Sequence, residues 1–232
     1  MEDIDAIAAL QDPVRRRLYE YVAAQGREVG RNEAAEAAGV ARTLAAHHLD
    51  RLTEAGLLES GSRRLTGRSG PGAGRPAKVY TRARAERSVS LPARDYRTAA
   101  ELLAEAAEEA GLDAGLRAAA HRRGAALRGT ATPCGDLDAA MEVLAARGYE
   151  PRLEDSEGAA AAVRMRNCPF HTVAERFPPL VCGMNLALLE GLIGADGPLR
   201  ARMDARPGEC CVVVEDATEG RKSAGDSKNN ID

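Results

Sequence analysis

The chain has 232 residues, of which 44% are hydrophobic but only 3% aromatic, so one large or two modest domains can bury a core, and the abundance of Ala, Leu, Arg and Glu favours helices. The formal net charge of −3 divides unevenly: residues 1–94 carry 16 Arg/Lys against 12 Asp/Glu, and residues 95–232 carry 16 against 23, which points to a polyanion-binding module on a separate acidic body. No apolar run approaches the ~20 residues that a membrane-spanning helix needs, and the acidic opening Met1-Glu2-Asp3-Ile4-Asp5 is unlike a basic secretory leader, so a cytoplasmic protein with no membrane partner is expected.

In chain order, Asp12-Pro13 reads as an N-cap followed by Pro at the first helical position, opening a helix to about Ala24 with Val14, Leu18, Tyr21 and Val22 on one face. A short helix is expected over Arg31 to Ala38, stopped by Gly39, and a third over Ala41 to Ala55, stopped by Gly56. Residues 60–84 then hold seven Arg/Lys and no Asp or Glu, with Gly and Pro gathered between Gly67 and Pro76. The flanks near Arg63 to Thr66 and Ala77 to Thr81 predict a hairpin with a long basic tip.

Beyond Pro92, helices are expected over Asp95 to Ala110, Asp113 to Gly129, Asp136 to Gly148 and Leu180 to Gly194. Strands are expected over Tyr149 to Glu154, Ala159 to Arg166, Leu199 to Asp204 and Cys210 to Glu215. The fold class is therefore α+β: a winged helix-turn-helix domain over residues 1–90, a helical linker or dimerisation region over 91–130, a small cysteine-bearing α+β domain over 131–216, and a disordered tail over 217–232.

Three short helices with a Gly turn before the third, then a basic hairpin, follow the order of a winged helix-turn-helix, whose third helix enters the major groove of double-stranded DNA. Ala45, Leu49 and Leu52 would pack inward, which leaves Arg42, Thr43, Ala46, His47 and Arg51 for the duplex and His48 half-buried against the helix pair. Arg42 and Arg51 suit phosphate or guanine edges, and His47 can donate to either. On the hairpin the candidates are Arg63, Arg64, Arg75 and Lys78; Arg75, between Gly74 and Pro76, fits either a narrow minor groove or plain phosphate contact. A three-helix packing module without nucleic acid is the competing reading.

The stretches Asp12-Pro-Val-Arg-Arg-Arg-Leu-Tyr19, Leu44-Ala-Ala-His-His-Leu-Asp-Arg-Leu-Thr-Glu-Ala-Gly-Leu-Leu58 and Gly74-Arg-Pro-Ala-Lys-Val-Tyr80 resemble the bacterial ArsR-like winged-helix regulators over about residues 5 to 85.

The five cysteines are Cys134, Cys168, Cys182, Cys210 and Cys211; in a reducing compartment they read as thiols or metal ligands rather than disulfides. Asn167-Cys168-Pro169-Phe170-His171 ends a predicted strand, Cys182 falls on the next helix, and Cys210-Cys211 open the last strand. Thiolates on three elements suit an iron-sulfur cluster or zinc. Adjacent strand residues point to opposite faces, so Cys210 is favoured and Cys211 is its alternative, with His171 as a possible fourth ligand and Cys134 incidental. The competing readings are free thiols packed in an Ala-rich core, a structural zinc held by Cys168, His171, Cys182 and Cys210, a regulator that senses a small molecule, and a thiol enzyme in which His171 activates Cys168.

The Asn-Cys-Pro-Phe-His motif, the Cys182 helix with Asn185-Leu-Ala-Leu-Leu-Glu190, and the terminal cysteine strand resemble the SufR-type repressors of iron-sulfur cluster assembly over nearly the whole chain. The resemblance implies a homodimeric repressor rather than an enzyme, with a cluster in each C-terminal domain held through Cys168, Cys182 and Cys210. Many members carry another cysteine between the last two positions; residues 183–209 here contain none.

Overall fold

In a computed structural model the structure describes residues 2–63, 76–154 and 161–217. The chain divides into two compact units, Met1–Arg94 and Asp95–Asp232.

The first unit opens with α1 (Glu2–Ala9), a helix the sequence reading did not anticipate, and α2 (Pro13–Gln25). The Asp12 side chain caps α2 by accepting from the amides of Val14 (2.8 Å) and Arg15 (3.0 Å). A two-residue strand, β1 (Val29–Gly30), leads into α3 (Arg31–Ala38) and α4 (Arg42–Glu54). Between these helices Gly39 takes φ +65°, and the Val40 amide returns to the Ala35 carbonyl, closing the tight turn that sets α4 across α3. Leu18, Val22, Ala34, Ala45, Leu49, Leu52 and Tyr80 form the core of this unit. The hairpin strands are β2 (Leu58–Arg63) and β3 (Ala77–Arg82), paired antiparallel from Leu58 opposite Arg82 to Arg63 opposite Ala77, with β1 on the far side of β3. The first hairpin strand therefore begins five residues earlier than the sequence predicts: Leu57 and Leu58 are its buried anchor, and the polar run after them is its exposed continuation. Arg64, Gly74 and Arg75 of the basic tip lie outside the described residues, as does most of the expected tail.

In the second unit, α5 (Tyr96–Glu109), α6 (Asp113–Arg128) and α7 (Leu137–Ala145) precede strands β4 (Pro151–Glu154) and β5 (Ala162–Met165). The short α8 (His171–Arg176), also unanticipated, runs into α9 (Pro178–Ile193), followed by β6 (Leu199–Met203) and β7 (Val212–Asp216). The strands form one antiparallel sheet in the order β4-β5-β7-β6, and α7 and α9 cover it with Ala140, Leu144, Leu189, Leu192 and Ile193 against Val163, Met165, Val212 and Val214. On the other face of β5, Arg164 is 2% exposed and is compensated by Glu154 (2.6 Å) and the Asp204 carboxylate. Within the second unit α6 packs along α9, backbone against backbone at Gly124 and Gly191. Among the described residues no helix is long and apolar enough to cross a membrane. The whole is α+β, helix-turn-helix first and a helix-covered sheet after it.

Candidate nucleic-acid interface and candidate metal centre

On α4 the helical period separates two faces. Ala45, His48, Leu49 and Leu52 are buried against the other helices, and Arg42, Thr43, His47 and Arg51 are exposed. Arg51 pairs with Glu54 one turn on at 2.8 Å, with both side chains more than half exposed, so this pair contributes little and releases easily. His48 is buried deeper than the sequence predicts, at 9% exposure, and its Nδ1 has no partner among the described residues; burial holds its pKa below the ordinary histidine value, against the pull of the nearby Asp12 carboxylate.

The hairpin cations differ in freedom. Arg63 makes an exposed pair with Glu28 at 3.1 Å. Lys78 does not stand free: its Nζ lies 2.7 Å from Asp50 Oδ1 and over the Tyr80 ring. Tyr80 donates its hydroxyl proton to the same carboxylate oxygen (2.6 Å), and Arg31 at the start of α3 donates its Nε proton to the Tyr80 hydroxyl (2.9 Å) and reaches Asp50 at 3.3 Å. Partial burial works to raise the Asp50 carboxyl, but the hydrogen bonds from Lys78 and Tyr80 outweigh it and keep it ionised well below its usual range. Burial, with the bond to Asp50, pushes the Tyr80 phenol up to about 12. The sequence reading missed Asp50 and Arg31, although an aspartate on the inner edge of a DNA-facing helix is itself a signal that some cation is held there.

Residues 10–61 match a family described as a helix-turn-helix domain. The N-terminal unit is thus a winged helix-turn-helix, and the chain carries the DNA-binding module of a transcriptional regulator. No curated protein and no solved structure matches the chain.

In the second unit the expectation that Cys210 and Cys211 face apart is corrected. β7 begins only at Val212, and the chain bends at Cys211, so strand alternation does not govern the pair. The Cys168, Cys210, Cys211 and Cys182 thiols instead lie near enough to influence one another's ionisation. The neighbouring Cys168 and Cys211 thiols and the Asn185 Nδ2 group, which donates to the Cys210 sulfur at 3.3 Å, hold the Cys210 pKa down. The nearness of Cys210, with burial, raises the Cys168 and Cys211 thiols.

Two residues behind the sulfurs orient this acceptor. Asn185, 1% exposed on α9, accepts a proton from the buried Tyr149 hydroxyl at 2.6 Å while its amide nitrogen faces Cys210. Asn167 holds the Cys168 loop by donating to the Gly148 carbonyl at 2.6 Å. The donor set has the chemistry of a soft-metal site, since thiols gather with an N–H group aimed at sulfur. Among the described residues no three such side chains already surround a common point, so ligation requires the thiols to turn toward one.

His171 stands outside the run: its side chain is 65% exposed and pairs with Glu175 at 3.3 Å, because both sit on one face of α8. Cys134 is buried in the core, where burial raises its pKa.

Proposed function

We propose that this DNA-binding regulator is a homodimeric repressor that senses iron-sulfur supply, with Cys168, Cys182, Cys210 and Cys211 as the ligands in each copy. The observation that carries it is the run of sulfurs with the Asn185 amide donating to one of them, the kind of N–H···S bond that tunes thiolate-bound iron. Cys211, the neighbour of Cys182, takes the place of the cysteine that the similar repressors carry between the second and last ligands, and His171 has no part in the set. An iron-sulfur cluster held there supplies an oxidant-labile bridge between three segments of the domain. The chain's own residues do the rest: Cys210 presents its sulfur, Asn185 and Tyr149 fix its direction, and Asn167 holds the loop of Cys168. The second copy docks on α5, whose Tyr96, Leu102 and Leu103 are 62–75% exposed. Operator affinity then follows the state of the thiol site through this dimer.

The test is anaerobic reconstitution with iron and sulfide, followed by metal and sulfide analysis and sedimentation. The expected result is a coloured dimer that loses iron and sulfide when Cys211 is replaced by Ser but not when His171 is replaced by Ala. Colourless protein with neither iron nor sulfide sinks the sensing role, and stoichiometric zinc in its place replaces it with a structural metal.

A further inference from the structure

The winged module presents many cations, and sequence-independent attraction to a duplex grows with every one that reaches a phosphate. Two of them are withheld. Lys78 and Arg31 converge on one carboxylate of α4, Asp50, at 2.7 and 3.3 Å, and both stand beside the Tyr80 ring, whose hydroxyl links Arg31 to that carboxylate. Lys78 and Arg31 are about two-thirds buried in this arrangement, whereas Arg51 and Arg63 are more than half exposed in simple pairs. A phosphate must therefore displace a hydrogen-bonded, partly desolvated network to recruit Lys78, but only an exposed surface pair to recruit Arg51 or Arg63.

We infer that Asp50 is a positioning residue that limits the charge offered to DNA: by holding Lys78 and Arg31 on the protein side of the interface, it keeps sequence-independent affinity low and leaves binding to the exposed face of α4 and the outer hairpin. The inference rests on the DNA-binding reading of this unit, not on the metal reading. It reverses the sequence-based expectation for Lys78, which becomes a cation spent inside the protein.

The experiment measures binding of the full chain to a labelled random-sequence duplex over a range of salt, for which no operator is needed. Each phosphate contact contributes about 0.9 to the slope of log affinity against log salt. Lys78→Met is expected to leave the slope unchanged. Asp50→Asn, which keeps an oxygen for Tyr80 but removes the charge, is expected to steepen the slope by about one to two and to tighten binding near 0.15 M salt by roughly fivefold per cation released. Adding Lys78→Met to Asp50→Asn should take back about one of those units. A slope that falls by about one in Lys78→Met alone overturns the inference, because Lys78 would then touch phosphate directly; this arm decides the matter even if Asp50→Asn does not fold. Weaker binding of a folded Asp50→Asn at unchanged slope also overturns it, since that is the behaviour of a merely structural residue. Wild-type protein that binds no duplex at any salt overturns the DNA-binding reading itself, and this inference with it.

Discussion

Gly124 and Gly191 decide where α9 lies, and replacing either by Ala tests that geometry. A Cβ on Gly124 would stand 2.1 Å from the Leu188 carbonyl oxygen and 2.8 Å from the Leu192 nitrogen; one on Gly191 would stand 2.2 Å from the His121 oxygen and 2.9 Å from the Ala125 nitrogen. These are backbone atoms of the facing helix and cannot rotate away, so α6 and α9 must part by about 1 Å, a gap that forfeits roughly a quarter to a half of the dispersion attraction across it. Overpacking costs about 1–3 kcal/mol, and a backbone obstacle puts these sites near 3. Removing a helical Gly returns about 1 kcal/mol, for a net loss of about 2 kcal/mol and a fall in melting temperature of roughly 4–8 °C. Gly115, on the same helix with nothing within 4 Å of its would-be Cβ, is the control: there Ala should stabilise by under about 1 kcal/mol. The assay is thermal unfolding followed by circular dichroism. If Gly191→Ala melts at or above wild type, helix propensity outweighs contact and the two helices are not in backbone register. Because α9 also carries Cys182 and Asn185, the same variants should loosen the thiol run, seen as faster alkylation of Cys210.

Asn185→Leu removes the donor to Cys210 and strands the buried Tyr149 hydroxyl, so it should cost about 1–3 kcal/mol in unfolding free energy. If the thiols bind metal, the same change should lower metal affinity by roughly 10- to 100-fold in a competition titration, while an unaltered affinity would remove Asn185 from the site. For His48 the sign follows from its lowered pKa. The unfolded chain takes up a proton near the ordinary histidine value of about 6.5 and the folded helix resists it, so the stabilising contribution is present above that pH and is lost as pH falls below it. The melting temperature of wild type should therefore drop more between pH 7 and pH 5 than that of His48→Leu; equal drops would mean that His48 is not kept neutral by burial.

Much of the first unit is legible because each of its signals is local. Asp12-Pro13 caps a helix through its own next two amides, Gly39 stops one through its own positive φ, and the buried and exposed faces of α4 follow from period alone. What escaped there was nonlocal: the Asp50, Lys78, Tyr80 and Arg31 network joins α3, α4 and β3, and no spacing within one segment announces it. α1 and α8 escaped because each is short, with little apolar period to count.

The thiol site shows the sharper limit. Period-two reasoning separated Cys210 from Cys211, yet that rule holds only inside a strand, and its failure came from a boundary shift of two residues. The more durable signal lay in α9. Pro178-Pro-Leu-Val-Cys-Gly-Met-Asn-Leu-Ala-Leu-Leu-Glu-Gly-Leu-Ile193 is apolar nearly all round, so it must be buried, and an amide in its middle must find partners or cost the fold dearly. Asn185 finds two, the Tyr149 hydroxyl and the Cys210 sulfur. A neutral thiol would give that N–H only a poor acceptor, whereas a thiolate gives it a charged one. The amide in the apolar helix therefore marks, independently of cysteine spacing, the sulfur around which this part of the core is built.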